Sequence, residues 1–293
     1  DYKVTGVQTC ALPISAMNIL FGAICLITLC LRSVELYADD STRTIPSVIW
    51  DDISTAFSTV GYAGNRLVSV QEYNVIHLGI ATGLVAASTL GDESLRSDIQ
   101  NSSLRTGTMD KAMEIANQYG DLAAPALLTV GLYGGGLLFD DEYIRTTGRM
   151  LGEALIIGGT LTTLGKYVIG RARPYLNEGH GSFSPFHWGD ERWSFPSGHS
   201  TIAFTVSGVL SARIQRWWAT AGLYGLAAST GFARMYKDKH WLSDVVLGAI
   251  VGSFATYTVV DAENERHSTQ KIQHSGVWRI MPIQTGLAIT YIF

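Results

Sequence analysis

The sequence predicts an all-α protein, a bundle of about six core helices. Two observations carry this. Six apolar stretches recur along the chain, roughly 74–91, 123–139, 150–168, 200–212, 217–233 and 244–261. Composition agrees: 47% of the residues are hydrophobic and 16% are charged. The charged share lies well below the roughly 25% typical of soluble domains, so much of the chain is buried in something.

Residues 1–16 show neither helical nor strand periodicity and precede the first methionine, Met17; they read as an artefact or a disordered tail. The segment 17–38 carries an apolar run of 13 residues, Ile19–Leu31. That is short of the roughly 20 residues a membrane span needs, and within the roughly 7–15 of a signal-peptide core. Export with cleavage after Ala38 is expected, with a retained anchor as the alternative. All three cysteines, Cys10, Cys25 and Cys30, lie in this region, so the rest of the chain holds no disulfide framework.

The segment 39–119 is expected to pack on the core as an N-terminal helical unit. It holds one helix near Val48–Tyr62, the first apolar stretch, and a polar helical connector from Asp92 to Gly120. The core is expected over 120–262. Its stretches are rich in Gly, Ala, Ser and Thr; Gly248 and Gly252 are four apart, as are Ala221 and Gly225. That spacing lets helices approach closely in a membrane, and small residues also fill a tight soluble core.

Mean hydropathy is only +0.18, and the third stretch carries Glu153. A soluble exported bundle and a membrane-embedded one therefore both remain open, in the periplasm or its membrane. The tail 263–293 ends in Leu287, Ile289, Tyr291 and Phe293, which alternate as in a short β-hairpin.

Net charge is -4 with no long run of one sign, which argues against a nucleic-acid partner. The scattered histidines form no metal tract.

Three polar groups interrupt the apolar pattern. They are Lys166 with Arg173 and Pro174; Pro196-Ser197-Gly198-His199; and Arg234 with His240 and Asp244. Each adjoins the end of an apolar stretch. Lys166, Arg173 and Arg234 supply three cations, and arginine's planar fork suits an oxyanion. Ser197 and Gly198 open a helix whose first N–H groups are free to bind an anion. His240 and Asp244 are four apart, on one helical face, so Asp244 can hold one ring nitrogen and leave the other as a nucleophile. His199 is placed to act as a general acid.

This constellation resembles the PAP2 (type 2 phosphatidic acid phosphatase and vanadium haloperoxidase) superfamily, in its lipid phosphatase or acid phosphatase branch. The family pattern is Lys-x6-Arg-Pro, then Pro-Ser-Gly-His, then Ser-Arg-x5-His-x3-Asp. Only Ala233 departs from it, standing where the family has Ser.

The resemblance implies a PAP2-type bundle and a phosphatase needing no cofactor or metal, with vanadate as an inhibitor. His240 would form a phosphohistidine, Asp244 would orient it, and His199 would protonate the leaving group. Lys166, Arg173, Ser197, Gly198 and Arg234 would hold the phosphoryl oxygens. The substrate would be a phosphorylated lipid, drawn from a membrane, or a small phosphoester. The rivals are a vanadate-dependent haloperoxidase and a non-catalytic anion-binding membrane protein. Phe183, Phe186, Trp188 and Trp193 either line a lipid entrance or pack a loop.

Overall fold

In the computed structural model, residues 44–68, 72–103, 105–274, 277–283 and 286–292 are described. The expected tail and export signal, 1–38, lie outside them. Nine α-helices follow one another among the described residues: α1 (Ile45–Val68), α2 (Glu72–Thr89), α3 (Asp92–Gln100), α4 (Gly107–Tyr119), α5 (Ala123–Leu138), α6 (Glu142–Ile169), α7 (Gly198–Ile214), α8 (Trp217–Tyr236) and α9 (Leu242–His274). The expected all-α bundle is what forms. Strands β1 (Val277–Ile283) and β2 (Gly286–Ile292) pair antiparallel, Val277 opposite Ile292, as the tail's pattern suggests.

The six apolar stretches correspond to α2 and α5–α9. Where the ends differ, polar helix continues the apolar helix. The stretch expected from residue 150 begins at Glu142, because the Asp141 side chain accepts from Ile144 N–H at 2.9 Å and caps the helix. The last runs to His274 rather than 261.

Helix α7 is the axis of the bundle, with α6, α8 and α9 packed around it. Its buried face is small and apolar: Ala203, Val206, Gly208 and Val209, with Ser200, Thr201, Thr205 and Ser207. Met150, Leu151, Ala154 and Ile157 of α6 and Ala255 and Val259 of α9 complete the core, with Ala63 of α1.

Gly248 and Gly252 make the close approach expected of them. A Cβ on Gly248 would lie 2.5 Å from the Ser197 carbonyl oxygen, and one on Gly252 2.5 Å from that of Thr201. The Ala221–Gly225 pair does not share this role: both are exposed, and a Cβ on Gly225 would meet nothing within 4 Å.

Glu153, unexpected in an apolar stretch, is buried and paired with Arg149 at 2.7 Å. Arg149 also reaches Glu263 at 2.8 Å and Asp52 at 3.4 Å. This network ties α1, α6 and α9 together, far along the bundle from the end considered next.

One helical segment, Leu242–Thr269 of α9, is long and apolar enough to cross a membrane. Two bent pairs, α2 with α3 and α4 with α5, raise the number to three if each is one span. Leu78, Leu84, Leu127, Ile156, Leu164 and Leu226 all point outward and are exposed.

Candidate active site

Helices alternate in direction around the bundle, so the end of α6, the start of α7, the end of α8 and the start of α9 meet at one end. All eight residues singled out from the sequence come from those four ends and the loops beside them.

The loop leaving α6 turns at Gly170, whose φ of 59° is left-handed and whose N–H bonds the Lys166 carbonyl at 2.9 Å. A Cβ there would lie 1.8 Å from the Ser184 carbonyl oxygen, so both conformation and space require glycine. The turn directs Arg171 and Arg173 back over the bundle end. Arg173 is nearly buried, and its guanidinium is held by the Asp190 carboxylate and, at 2.6 Å through Nε, by the Asp190 carbonyl. Lys166 donates to the Trp193 carbonyl. Arg234, 8% exposed, donates to Asn117 of α4 at 2.6 Å.

Ser197 is the N-cap of α7; its hydroxyl accepts from Ser200 N–H at 3.4 Å. Its own N–H donates to the Asp244 carbonyl at 2.9 Å. That corrects the expectation of a phosphate-binding N–H at Ser197. Gly198 and His199 are the helix-start residues whose N–H groups have no protein acceptor among the described residues.

His240 and Asp244 do not share a helical face. α9 begins at Leu242, so His240 lies in the loop before it, and Asp244 occupies the third helical position. Asp244 reaches back to accept from Trp241 N–H at 2.8 Å, capping the helix. The same oxygen faces His240 Nδ1 at 3.4 Å and accepts from the Ser194 hydroxyl. The neighbourhood of the two side chains survives the change of geometry. His240 Nδ1 lies 3.4 Å from that oxygen without forming a hydrogen bond to it.

Burial and charge then fix protonation. His240 is held well below the usual imidazole range, first by burial and then by Arg173, Lys166, Arg234 and His199. His199 is pushed down to about 3 by burial and by Arg234, Lys166 and Arg173. Lys166 is lowered to about 7, by burial first and Arg173 second. The site thus presents neutral imidazoles among crowded cations, an environment that a polyanion would relieve.

Four residues at this end had no signal in the sequence. Arg171, Asp92, Ser243 and Ser194 form a buried network around Asp244. Asp92 falls in the expected polar connector, yet it is 1% exposed. An aspartate at a helix start gives no sign of a partner 79 positions away.

The aromatic flanks both pack and protrude. Tyr167 lies 5.5 Å from Phe186 and 5.1 Å from Trp188, and Trp188 lies 5.2 Å from Trp193. Phe183, Phe186 and Trp188 remain more than half exposed.

Residues 148–268, which contain all eight site residues, match the PAP2 superfamily. This part of the chain is similar to PAP2 domains. Within the chain, 105 residues are 35% identical to the lipid A 1-phosphatase of Porphyromonas gingivalis, covering 35% of this chain and 20% of that protein. A further alignment, 27% identical over 131 residues, is to the undecaprenyl-diphosphatase of Sulfolobus acidocaldarius; it covers 44% of this chain and 61% of the other. The chain therefore spans less than two thirds of either relative. Among solved structures, Aquifex aeolicus LpxE superposes with a TM-score of 0.44 at 23% identity, over 58% of this chain and 94% of that one.

Proposed function

We propose that this chain is a phosphatase that hydrolyses phosphorylated lipids at a membrane surface, through a phosphohistidine and without a metal. One observation carries the reading. Three cations, the open start of α7 and a carboxylate-backed imidazole converge at one end of the PAP2-like domain, beside an exposed aromatic lip.

The roles follow from the geometry. Lys166, Arg173, Arg234 and the N–H groups of Gly198 and His199 surround the phosphoryl oxygens; donors fixed in advance commonly contribute more to catalysis than any other single effect. His240 Nε2 attacks phosphorus, forming an N–P bond as the P–O bond to the lipid breaks. His199 gives its proton to the departing oxygen. Burial depresses its basicity first and the surrounding cations second; a bound phosphate dianion would offset the second cause. Water then attacks the phosphohistidine, His199 takes back a proton, and inorganic phosphate leaves.

The bundle's outward leucines and the α9 segment favour a membrane-embedded protein that takes substrate laterally, past Phe186 and Trp188. Related proteins act, by name, on lipid A and on undecaprenyl diphosphate, and a lipid phosphate or diphosphate is the substrate class proposed here.

The test is a substrate panel in detergent micelles: phosphatidic acid, a polyprenyl diphosphate, lipid A and a water-soluble phosphomonoester. Release of phosphate is expected from at least one lipid, in excess EDTA, with inhibition by micromolar vanadate. His240→Ala should abolish it while the thermal midpoint stays near that of the parent. Undiminished turnover by His240→Ala would sink the mechanism.

A further inference from the structure

We propose that Asp92 and Arg171 are positioning residues of the site: Arg171 fixes the Asp244 carboxylate behind His240, and Asp92, from outside the PAP2 match, fixes Arg171. The inference rests on the phosphatase reading and deepens it.

Arg171 is 2% exposed and lies between two buried carboxylates. Its Nη1 donates to Asp244 Oδ1 at 2.6 Å and to Ser243 Oγ at 2.7 Å; its Nη2 donates to Asp92 Oδ2 at 2.7 Å. Nε donates to the His180 carbonyl at 2.8 Å, and the rings of Phe183, Phe195 and Trp241 lie within 5.7 Å of the guanidinium. Nothing about this side chain is left to turn. Asp92 is equally fixed, by Ser243 N–H at 2.9 Å and Ser243 Oγ at 2.7 Å.

Buried ion clusters are poor stabilisers compared with apolar packing, so stability alone is a weak account of this one. Its geometric effect is specific. With Oδ1 committed to Arg171, Asp244 turns Oδ2 toward Trp241 N–H and His240 Nδ1. Asp92 opens α3 just after the 49° bend from α2. The N-terminal helices thereby reach the catalytic end and supply a charge that the PAP2 match, 148–268, does not include.

Charge sign gives a readout that a merely structural tie would not move. The groups facing His240 are Lys166 from α6, Arg173 from the following loop, His199 from α7, Arg234 from α8 and Asp244 from α9. Behind them, Asp92→Asn removes a negative charge, which disfavours the imidazolium. Arg171→Gln removes a positive one, which favours it.

The experiment uses the full chain in detergent. The kcat of both variants should fall about 10- to 100-fold, the range for partners behind a first-line ligand, with KM within about 3-fold. The acid limb of the kcat profile should move to lower pH in Asp92→Asn and to higher pH in Arg171→Gln. Vanadate, expected on the phosphohistidine reading to bond His240, should bind Asp92→Asn about 10-fold more weakly, while inorganic phosphate affinity stays within about 2-fold. Acid limbs that move the same way or stay still, with vanadate affinity unchanged, would overturn the proposal.

Should a charge variant fail to fold, Ser243→Ala deletes only the hydroxyl shared by Asp92 and Arg171. It should lower kcat several-fold at constant KM, and an unchanged kcat counts against the proposal. A wild-type chain that releases no phosphate from any lipid refutes the phosphatase reading, while the vanadate and phosphate comparison still decides the positioning role.

Discussion

Replacing Asp244 with asparagine separates the structural from the chemical part of the site. Asp244 is fully buried and accepts from Arg171 Nη1 at 2.6 Å, Trp241 N–H at 2.8 Å and the Ser194 hydroxyl. An asparagine best keeps its oxygen toward Arg171, which puts its NH2 where Oδ2 had been. The Ser194 hydroxyl can rotate to accept from that NH2. Trp241 N–H cannot reverse, and loses its partner. An orphaned buried donor costs about 1–3 kcal/mol, and breaking a buried ion pair about 3–5 kcal/mol. The two overlap here, and Asp92 still neutralises Arg171, so the total should be about 3–5 kcal/mol. At about 2–4 °C per kcal/mol for a chain of this size, the thermal midpoint should fall by about 6–20 °C. The chemical effect is read separately. An amide donating toward His240 Nδ1 favours the wrong tautomer, and the same exchange behind the histidine of serine proteases lowers kcat about 10⁴-fold. The looser 3.4 Å contact here sets the expectation at about 10²–10⁴-fold. The assays are a thermal melt in detergent and phosphate release from the best lipid of the panel. A midpoint within about 2 °C of the parent, with kcat within 10-fold, would refute both the network and the role given to Asp244.

Gly248→Ala should cost about 1–3 kcal/mol and raise KM, because the new Cβ would press on the Ser197 carbonyl at 2.5 Å and separate α9 from α7 at the phosphate end. Gly225→Ala is its control: with nothing within 4 Å, it should be neutral or gain up to about 1 kcal/mol of helix propensity. Phosphate binding at pH 8 should take up protons. Lys166, lowered to about 7 by burial and Arg173, is largely neutral at pH 8 and regains its proton beside a dianion, so affinity should weaken as pH rises above about 7. Calorimetry in two buffers of different ionisation enthalpy reads the uptake, which should fall in Lys166→Met to the part that His199 takes up.

The sequence announced the helices wherever apolar residues ran together, and it missed their polar extensions. Glu142–Arg149 lies outside the apolar stretches, yet an Asp141 cap and the Arg149 ion pairs hold it helical. The site's membership was legible for a similar reason. Lys166, Arg173, His199, Arg234, His240 and Asp244 form spaced patterns at the ends of apolar runs. Geometry between chain segments was not legible. Nothing in the sequence of Ser197 tells that its N–H meets the Asp244 carbonyl, and nothing near Asp92 tells of Arg171. Spacing four apart placed His240 and Asp244 on one face, whereas the helix starts only at Leu242.

The network behind the site also bears on how so many charges are buried at one end of an apolar bundle. Moving a single ion out of water costs several kcal/mol, and only alternation of sign with full hydrogen bonding offsets it. Here the signs alternate in layers. The outermost place is for the substrate's anion, followed by Lys166, Arg173 and Arg234, then Asp244 behind a neutral His240, then Arg171, and last Asp92. The inner layers are complete without substrate, since Arg171 answers both carboxylates. The outer cations are held by the Asp190 carboxylate and by neutral acceptors, the Asn117 amide oxygen and the Trp193 carbonyl. Under the proposed function, arriving phosphate would complete the series. Binding energy would then be concentrated on the phosphoryl group, and the lipid tail would need only the apolar lip at Phe186 and Trp188 to be held. On this reasoning, the aromatic lip and not the cation shell sets which lipid is used, so changes at Trp188 should alter KM among lipids while leaving the affinity for inorganic phosphate unchanged.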